Sequence, residues 1–371
     1  MSKNKKCRVC GNNLYEEPLL SYENMPKAAQ YLPDKNALKS DKGVDLEVCQ
    51  CSGCGLVQLS NDPVPYYKEV IRAAGISEEM MAFRKKQFTD LVEKYSLKGK
   101  KVIEIGCGRG EYLSIMARTG VKAYGLEQGK DAVRQCLSQG LNVSRRIKDG
   151  PFDAFYILSF LEHLPKPSRT LREIGDNLTD HAIGLVEVPN FDMIIRKKLF
   201  AEFIGDHLLY FTRDTLATTL RSNGFNIIEC NEVWHDYIIS AVVRKRGRLD
   251  LSCFSDQQTK LKTEIDGYIS RFKDKRVAIW GAGHQALALI SLLELEDKIK
   301  YVVDSATFKQ GKYTPATHLP IVSPAMLDSD PVDAVIVMAA SYSDEVARII
   351  QQKYGAKIKV AIFKGANLCR N

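Results

Sequence analysis

Val102-Ile103-Glu104-Ile105-Gly106-Cys107-Gly108-Arg109-Gly110-Glu111 is an apolar strand that runs into a turn of three alternate glycines and then a helix. Glycine is needed where the backbone takes positive φ or where a ligand lies against the main chain, and a nucleotide-binding first βα turn asks for both. Glu104 stands inside the strand, and Glu127 closes the next strand candidate, the position from which a carboxylate grips a ribose diol. A dinucleotide fingerprint wants G-x-G-x-x-G, whose last glycine packs the helix on the strand; Gly106, Gly108 and Gly110 are spaced differently.

Around this turn, short apolar strands alternate with helical stretches. A helix is predicted over 80–95, and strands over 101–105, 122–126, 152–160, 182–188, 225–229 and 237–243. That alternation means an α/β domain with a mostly parallel sheet. A polar, charged segment over 245–271, helical in its second half, marks a boundary, and a second α/β unit follows. Its strands are expected at 276–280, 301–304, 334–338 and 357–363, with the tight turn Gly281-Ala282-Gly283 leading into a helix over 285–295. The predicted domains are 1–75, 76–248 and 249–371.

At 371 residues the chain is too long for one ordinary core. Apolar residues make up 45% and charged residues 26%, which excludes disorder as the general state. The formal charge of +8 is spread along the chain, apart from short runs at 3–6 and 244–248, so no nucleic-acid footprint is expected. A mild positive field favours an anionic substrate. No apolar run reaches the length of a membrane span and the first residues lack a signal-peptide core, so a cytoplasmic protein without a membrane partner is expected. Nothing in the sequence fixes an oligomeric state.

Ten cysteines in a reducing compartment read as thiols or metal ligands. Cys7-Arg8-Val9-Cys10 and Cys51-Ser52-Gly53-Cys54 are two C-x-x-C knuckles, which together make a closed four-cysteine site for a structural zinc ion. Cys49 is left over and competes with Cys51, but only Cys51 has the two-residue spacing to Cys54.

The E-x-G-x-G-x-G turn resembles the first motif of class I methyltransferases, which use S-adenosylmethionine. By that resemblance Glu104, Gly106, Gly108, Gly110, Glu127 and Gln128 hold the cofactor, the glycines near its methionine part and Glu127 on its ribose. The ordered pieces also resemble the sugar C-methyltransferases of deoxysugar pathways, which join a zinc module, a class I methyltransferase Rossmann-like core and a C-terminal Rossmann-like α/β domain. The matching residues are the two cysteine knuckles, then Glu187-Val188-Pro189 with Asp206-His207-Leu208-Leu209-Tyr210-Phe211-Thr212, then Gly281-Ala282-Gly283 with Asp304, Lys309-Gln310-Gly311-Lys312-Tyr313 and Leu319-Pro320-Ile321, closing with Asp344-Glu345.

The resemblance implies methylation of a carbon beside the ketone of a nucleotide-linked sugar. A base removes the α proton, and histidine suits that task because its pKa lies near working pH. His207 matches the family's base and Asp206 its acidic neighbour; His163, just past the fourth strand, is the alternative catalytic histidine. Tyr210, Lys309 and Lys312 are candidate substrate contacts, and the C-terminal domain is expected to help seat the nucleotide-sugar without a cofactor of its own.

Several positions depart from the family pattern. His235 is followed by Asp236-Tyr237-Ile238 where the family often has His-Gly-Gly-Ser. Phe203-Ile204-Gly205 occupy a stretch where a tyrosine is usual, and a second tyrosine gives way near Ile71 or Arg72, with Tyr66 and Tyr67 a little earlier. Such losses leave open an altered substrate, methylation at oxygen or nitrogen on a related saccharide or phosphorylated substrate, or a non-catalytic binding protein.

Overall fold

A computed structural model describes residues 4–27, 29, 32–69, 76–273 and 276–370. Ile71 and Arg72 lie outside the described residues. The chain forms two compact units, Met1–Gly247 and Arg248–Asn371.

The first unit is built on a seven-stranded sheet, in the order Phe225–Val233, Ile238–Lys245, Leu178–Pro189, Phe152–Leu158, Lys101–Ile105, Lys122–Leu126 and Val143–Ser144. The strands from Leu178–Pro189 through Val143–Ser144 pair in parallel, and Ile238–Lys245 is antiparallel to both of its neighbours. Phe152–Leu158 is covered on both faces, so its side chains are apolar almost throughout rather than alternating. The predicted strand over 152–160 ends two residues early because Ser159 turns into the left-handed region at φ 47°, swinging the chain onto the sheet's carboxyl edge.

Glu78–Lys94 is a helix whose N-terminus is capped by Ser77, accepting from the Met80 N–H. Arg213–Ser222 begins at Thr212, which forms a reciprocal capping box with Thr215, and Gly224 follows at φ 93°. Both helices stand where apolar spacing and end signals predict them.

The N-terminal stretch, read from sequence as loop-rich, contains strands Leu20–Met25, Val44–Gln50 and Val57–Leu59. They join Leu209–Tyr210 in an antiparallel four-stranded sheet. The hidden signal is the run Leu46-Glu47-Val48-Cys49, which does not alternate cleanly because Cys49 is buried along with Leu46 and Val48.

The second unit is a six-stranded sheet, ordered Ile321–Val322, Val302–Val303, Val277–Trp280, Ala334–Val337, Lys359–Lys364 and Asn367–Arg370. Its pairings are parallel except for the final hairpin. Among the described residues no helix is long and apolar enough to cross a membrane.

Candidate active site and metal site

The glycine turn leaves the central strand at Ile105 with Gly106, Gly108 and Gly110 all in the left-handed region. At Gly110, φ is 85° and a Cβ would lie 2.4 Å from the Leu141 Cδ1 atom, so any other residue would strain the backbone and push Leu141 aside. Glu127 closes strand Lys122–Leu126 and folds back on the turn. Its Oε2 accepts the Gly108 N–H at 2.9 Å and its Oε1 accepts the N–H groups of Gln128 and Gly129, both at 2.8 Å. Gly106, Glu127 and Gln128 line a cavity of about 430 Å³. A ready-made backbone cradle with a carboxylate fixed at its rim is what a nucleoside's ribose requires, so these residues fit the expected cofactor. Glu104 lies behind the turn, 1% exposed, accepting the Tyr156 hydroxyl at 3.0 Å.

A second cavity of about 630 Å³ shares Tyr67 and Phe160 with the first. His163 and His207 meet at one side of it, their ring centroids 4.8 Å apart and nearly perpendicular. His163 ends the short 3-10 turn Leu161–His163, and its Nδ1 donates to the Asp206 carbonyl at 2.7 Å. A carbonyl can only accept, so the neutral imidazole carries its lone pair on Nε2. Burial lowers His163, and burial together with His163 lowers His207 to about 3. Asp206 is buried; its Oδ1 accepts from the Tyr66 hydroxyl at 2.6 Å and its Oδ2 from the Ala29 N–H at 2.8 Å.

Three cavity residues went unassigned in the sequence. Tyr66 places a phenol beside Asp206, so the cavity carries a hydroxyl although Ile204 stands where the resemblance leads one to expect a tyrosine. Arg84, 1% exposed, bonds to Gln87 and ion-pairs with Glu187, and lies 5.0 Å from the Tyr112 ring centroid. Removing one partner of such a buried pair strands the other's charge. Glu162, on the turn beside His163, is held up to about 8 by burial. Adjacency to His163 was its only sequence signal, and an acidic residue on a short turn ordinarily points to water.

Tyr210 is not brought to this cavity. It is 4% exposed, packs against Phe191 and Phe203, and its hydroxyl accepts the Ile204 N–H at 3.0 Å; apolar neighbours in the small sheet claim it for the core. His235 is exposed, 3.0 Å from Glu79. In the second unit, Asp304 accepts from Ala282 N–H, Ala306 N–H and the Lys309 ammonium, so Lys309 is engaged by its own domain. Lys312 lines an open groove with Tyr313 and Met326.

Cys7, Cys10, Cys51 and Cys54 bring their sulfurs within 4.8 Å of one another. Cys7 and Cys54 sulfurs are 3.6 Å apart, and those of Cys10 and Cys51 are 3.4 Å apart. A tetrahedral ion with bonds of about 2.3 Å to sulfur needs edges of about 3.8 Å, so the cluster is near the required size. Val9 and Cys10 N–H point at the Cys7 sulfur, and Gly53 and Cys54 N–H at the Cys51 sulfur, an arrangement that stabilises thiolate charge. Cys49 faces away from this set, its sulfur 4.0 Å from the Glu47 carbonyl.

The sheet order, with its single antiparallel strand inside a parallel array and its glycine turn on the central strand, is that of a class I methyltransferase core. Residues 80–230 match the methyltransferase domain family, and residues 250–362 match the C-methyltransferase C-terminal domain family. The protein is an S-adenosylmethionine-dependent methyltransferase.

It is 22% identical to the C-methyltransferase NovU of Streptomyces niveus, an alignment covering 92% of this chain and 91% of that protein. It is also 37% identical to a ubiquinone biosynthesis O-methyltransferase of Pseudomonas fluorescens (strain Pf0-1), over 22% of this chain and 40% of the relative. Among solved structures, magnesium protoporphyrin IX methyltransferase (ChlM) from Synechocystis PCC 6803 aligns with 47% of this chain and 90% of its own, at 15% identity and a TM-score of 0.39.

Proposed function

We propose that the protein transfers a methyl group to a carbon adjacent to the ketone of a nucleotide-linked keto-sugar, with a zinc ion on Cys7, Cys10, Cys51 and Cys54. The observation that carries this reading is the meeting of His163, His207 and the Tyr66–Asp206 pair on one cavity that shares walls with the cavity at the glycine turn. The full-length likeness to a protein named as a C-methyltransferase supports carbon as the acceptor, and the sugar is taken from the motif resemblance.

S-adenosylmethionine supplies an electrophilic methyl group on sulfur. Glu127 and the glycine turn would hold it, with Gln128 at the same wall. His207 takes the α proton, and Asp206, fixed by Tyr66 and Ala29, steadies the loop that presents His207. Tyr67 and Phe160 line both cavities and form apolar walls beside the reacting carbon.

The test is product analysis after incubation with S-adenosylmethionine and a set of nucleoside-diphosphate 4-keto sugars. A proton spectrum with a new methyl on a ring carbon is the expected result. A methoxy or N-methyl signal would move the acceptor to oxygen or nitrogen, and absence of turnover across the set would remove the sugar reading.

A further inference from the structure

Glu162 has no task in the reaction set out above, yet its surroundings are unusual for a carboxyl. Its side chain is 1% exposed, and neither oxygen has a hydrogen-bond partner among the described residues. It approaches within 4.8 Å of ring nitrogens of both His163 and His207. Its place is fixed, because the Leu208 N–H donates to the Glu162 carbonyl at 2.9 Å and ties the histidine loop to this turn. His163 is fixed too: with Nδ1 on the Asp206 carbonyl, its Nε2 stands 3.8 Å from the Glu162 Oε1 atom. The titratable and charged groups that line the cavity with Glu162 are these two histidines, Asp206, Glu69, Arg84 and the tyrosines Tyr66, Tyr67, Tyr112 and Tyr237. No lysine or arginine among the described residues pairs with it.

We propose that Glu162 is the final proton acceptor of the site, a positioning residue that acts through His207 by relieving that imidazole of the proton it takes. In the step, the substrate C–H bond breaks, its electron pair stays on the substrate as an enolate, and an N–H bond forms on His207. The proton then passes from His207 to the Glu162 carboxylate, making an O–H bond and returning the imidazole to neutrality. One proton has moved from carbon to oxygen, and solvent recovers it through the cavity before the next turnover. In this pocket His207 is a weak base, pressed down to about 3 by burial and by His163, so it gives up a proton readily, whereas Glu162 is raised to about 8, a range in which a carboxylate can keep one near neutral pH. This role rests on proton removal from carbon as proposed above, so its test uses no substrate.

The zinc-replete enzyme, labelled with ¹³C at the imidazole Cε1 and saturated with S-adenosylhomocysteine, is titrated by NMR from about pH 5 to about pH 10. The His163 and His207 resonances, assigned with His163→Asn and His207→Asn, should share a step near pH 8 as Glu162 ionises. Glu162→Gln should abolish the step, and Glu162→Asp should keep it at a displaced pH. Should the glutamine variant fail to bind S-adenosylhomocysteine, the aspartate variant carries the comparison. An unchanged titration in either variant overturns the role. So does broadening of both resonances by micromolar Mn²⁺ in wild type and not in Glu162→Gln, which would mark the three side chains as a cation site. A negative titration leaves carbon methylation standing, and a product methylated on oxygen leaves a positive titration standing.

Discussion

Tyr66 donates its hydroxyl hydrogen to the Asp206 Oδ1 atom across 2.6 Å, joining residues 140 positions apart. Tyr66→Phe should therefore leave a buried carboxylate with one fewer donor, at a cost of about 1–3 kcal/mol. The expected result is a lower midpoint in denaturant melting. A double-mutant cycle with Asp206→Asn should show the losses to be non-additive, and additive losses would place the tyrosine's contribution elsewhere.

The thiolate cluster predicts one zinc ion per chain. Metal analysis of protein prepared without chelator should give that stoichiometry, and Cys10→Ser should lower both the zinc content and the melting temperature, because binding energy at a closed four-cysteine site is folding energy.

Glu127 already accepts three backbone N–H groups, so its carboxylate is oriented before any ligand arrives. Glu127→Ala removes both a charge-assisted partner for the ribose and the clamp on Gly108. Calorimetry with S-adenosylhomocysteine should show affinity down by about tenfold to a hundredfold. Unchanged affinity would take Glu127 out of the site.

His207→Asn should lower kcat by about 10² to 10⁴ while leaving cofactor affinity nearly intact, the usual worth of a general base. Substrate held in deuterated water without cofactor should exchange its α proton with wild type and not with the variant. Full activity in the variant would pass the role to His163.

Glu162 gives a pH dependence of stability whose sign is fixed. Its carboxyl is held up to about 8 when folded and ionises near about 4.3 when unfolded, so between those values the folded state binds more protons. Stability from this group is thus lost as pH rises from about 4.3 to about 8, and the loss is complete above that. Relative to wild type, Glu162→Gln should gain melting temperature across this window and hold a constant difference beyond it.

The fold was largely legible because glycine spacing and strand alternation are local signals. Lys101–Ile105 and Lys122–Leu126 stand where their apolar runs predict. The small sheet was not legible, since Leu20–Met25 has no buried face of its own and forms only by pairing with Val44–Gln50. In the site, His163 and His207 were visible as loop histidines, but their contact depends on the Leu208–Glu162 hydrogen bond, which no local pattern encodes. Tyr66 was hidden for the same reason. Tyr210 misled because an aromatic hydroxyl three residues from His207 reads equally well as ligand or core, and only packing against Phe191 and Phe203 decides.

Strand Val57–Leu59, which follows the second cysteine knuckle directly, pairs with Leu209–Tyr210, and the Leu59 N–H donates to the Leu208 carbonyl at 2.9 Å. The cysteine module and the histidine loop are thus two ends of one piece of cloth. A fault at the cysteines, whether oxidation or loss of the ion, would be felt one residue away from His207 rather than only in a remote appendage. Cys7, Cys51 and Leu56 also share a core with Ile103 and Ile105 of the cofactor strand, so such damage would reach the glycine turn as well, and grafting a foreign cysteine module onto the chain would mean re-sewing the strand beside His207.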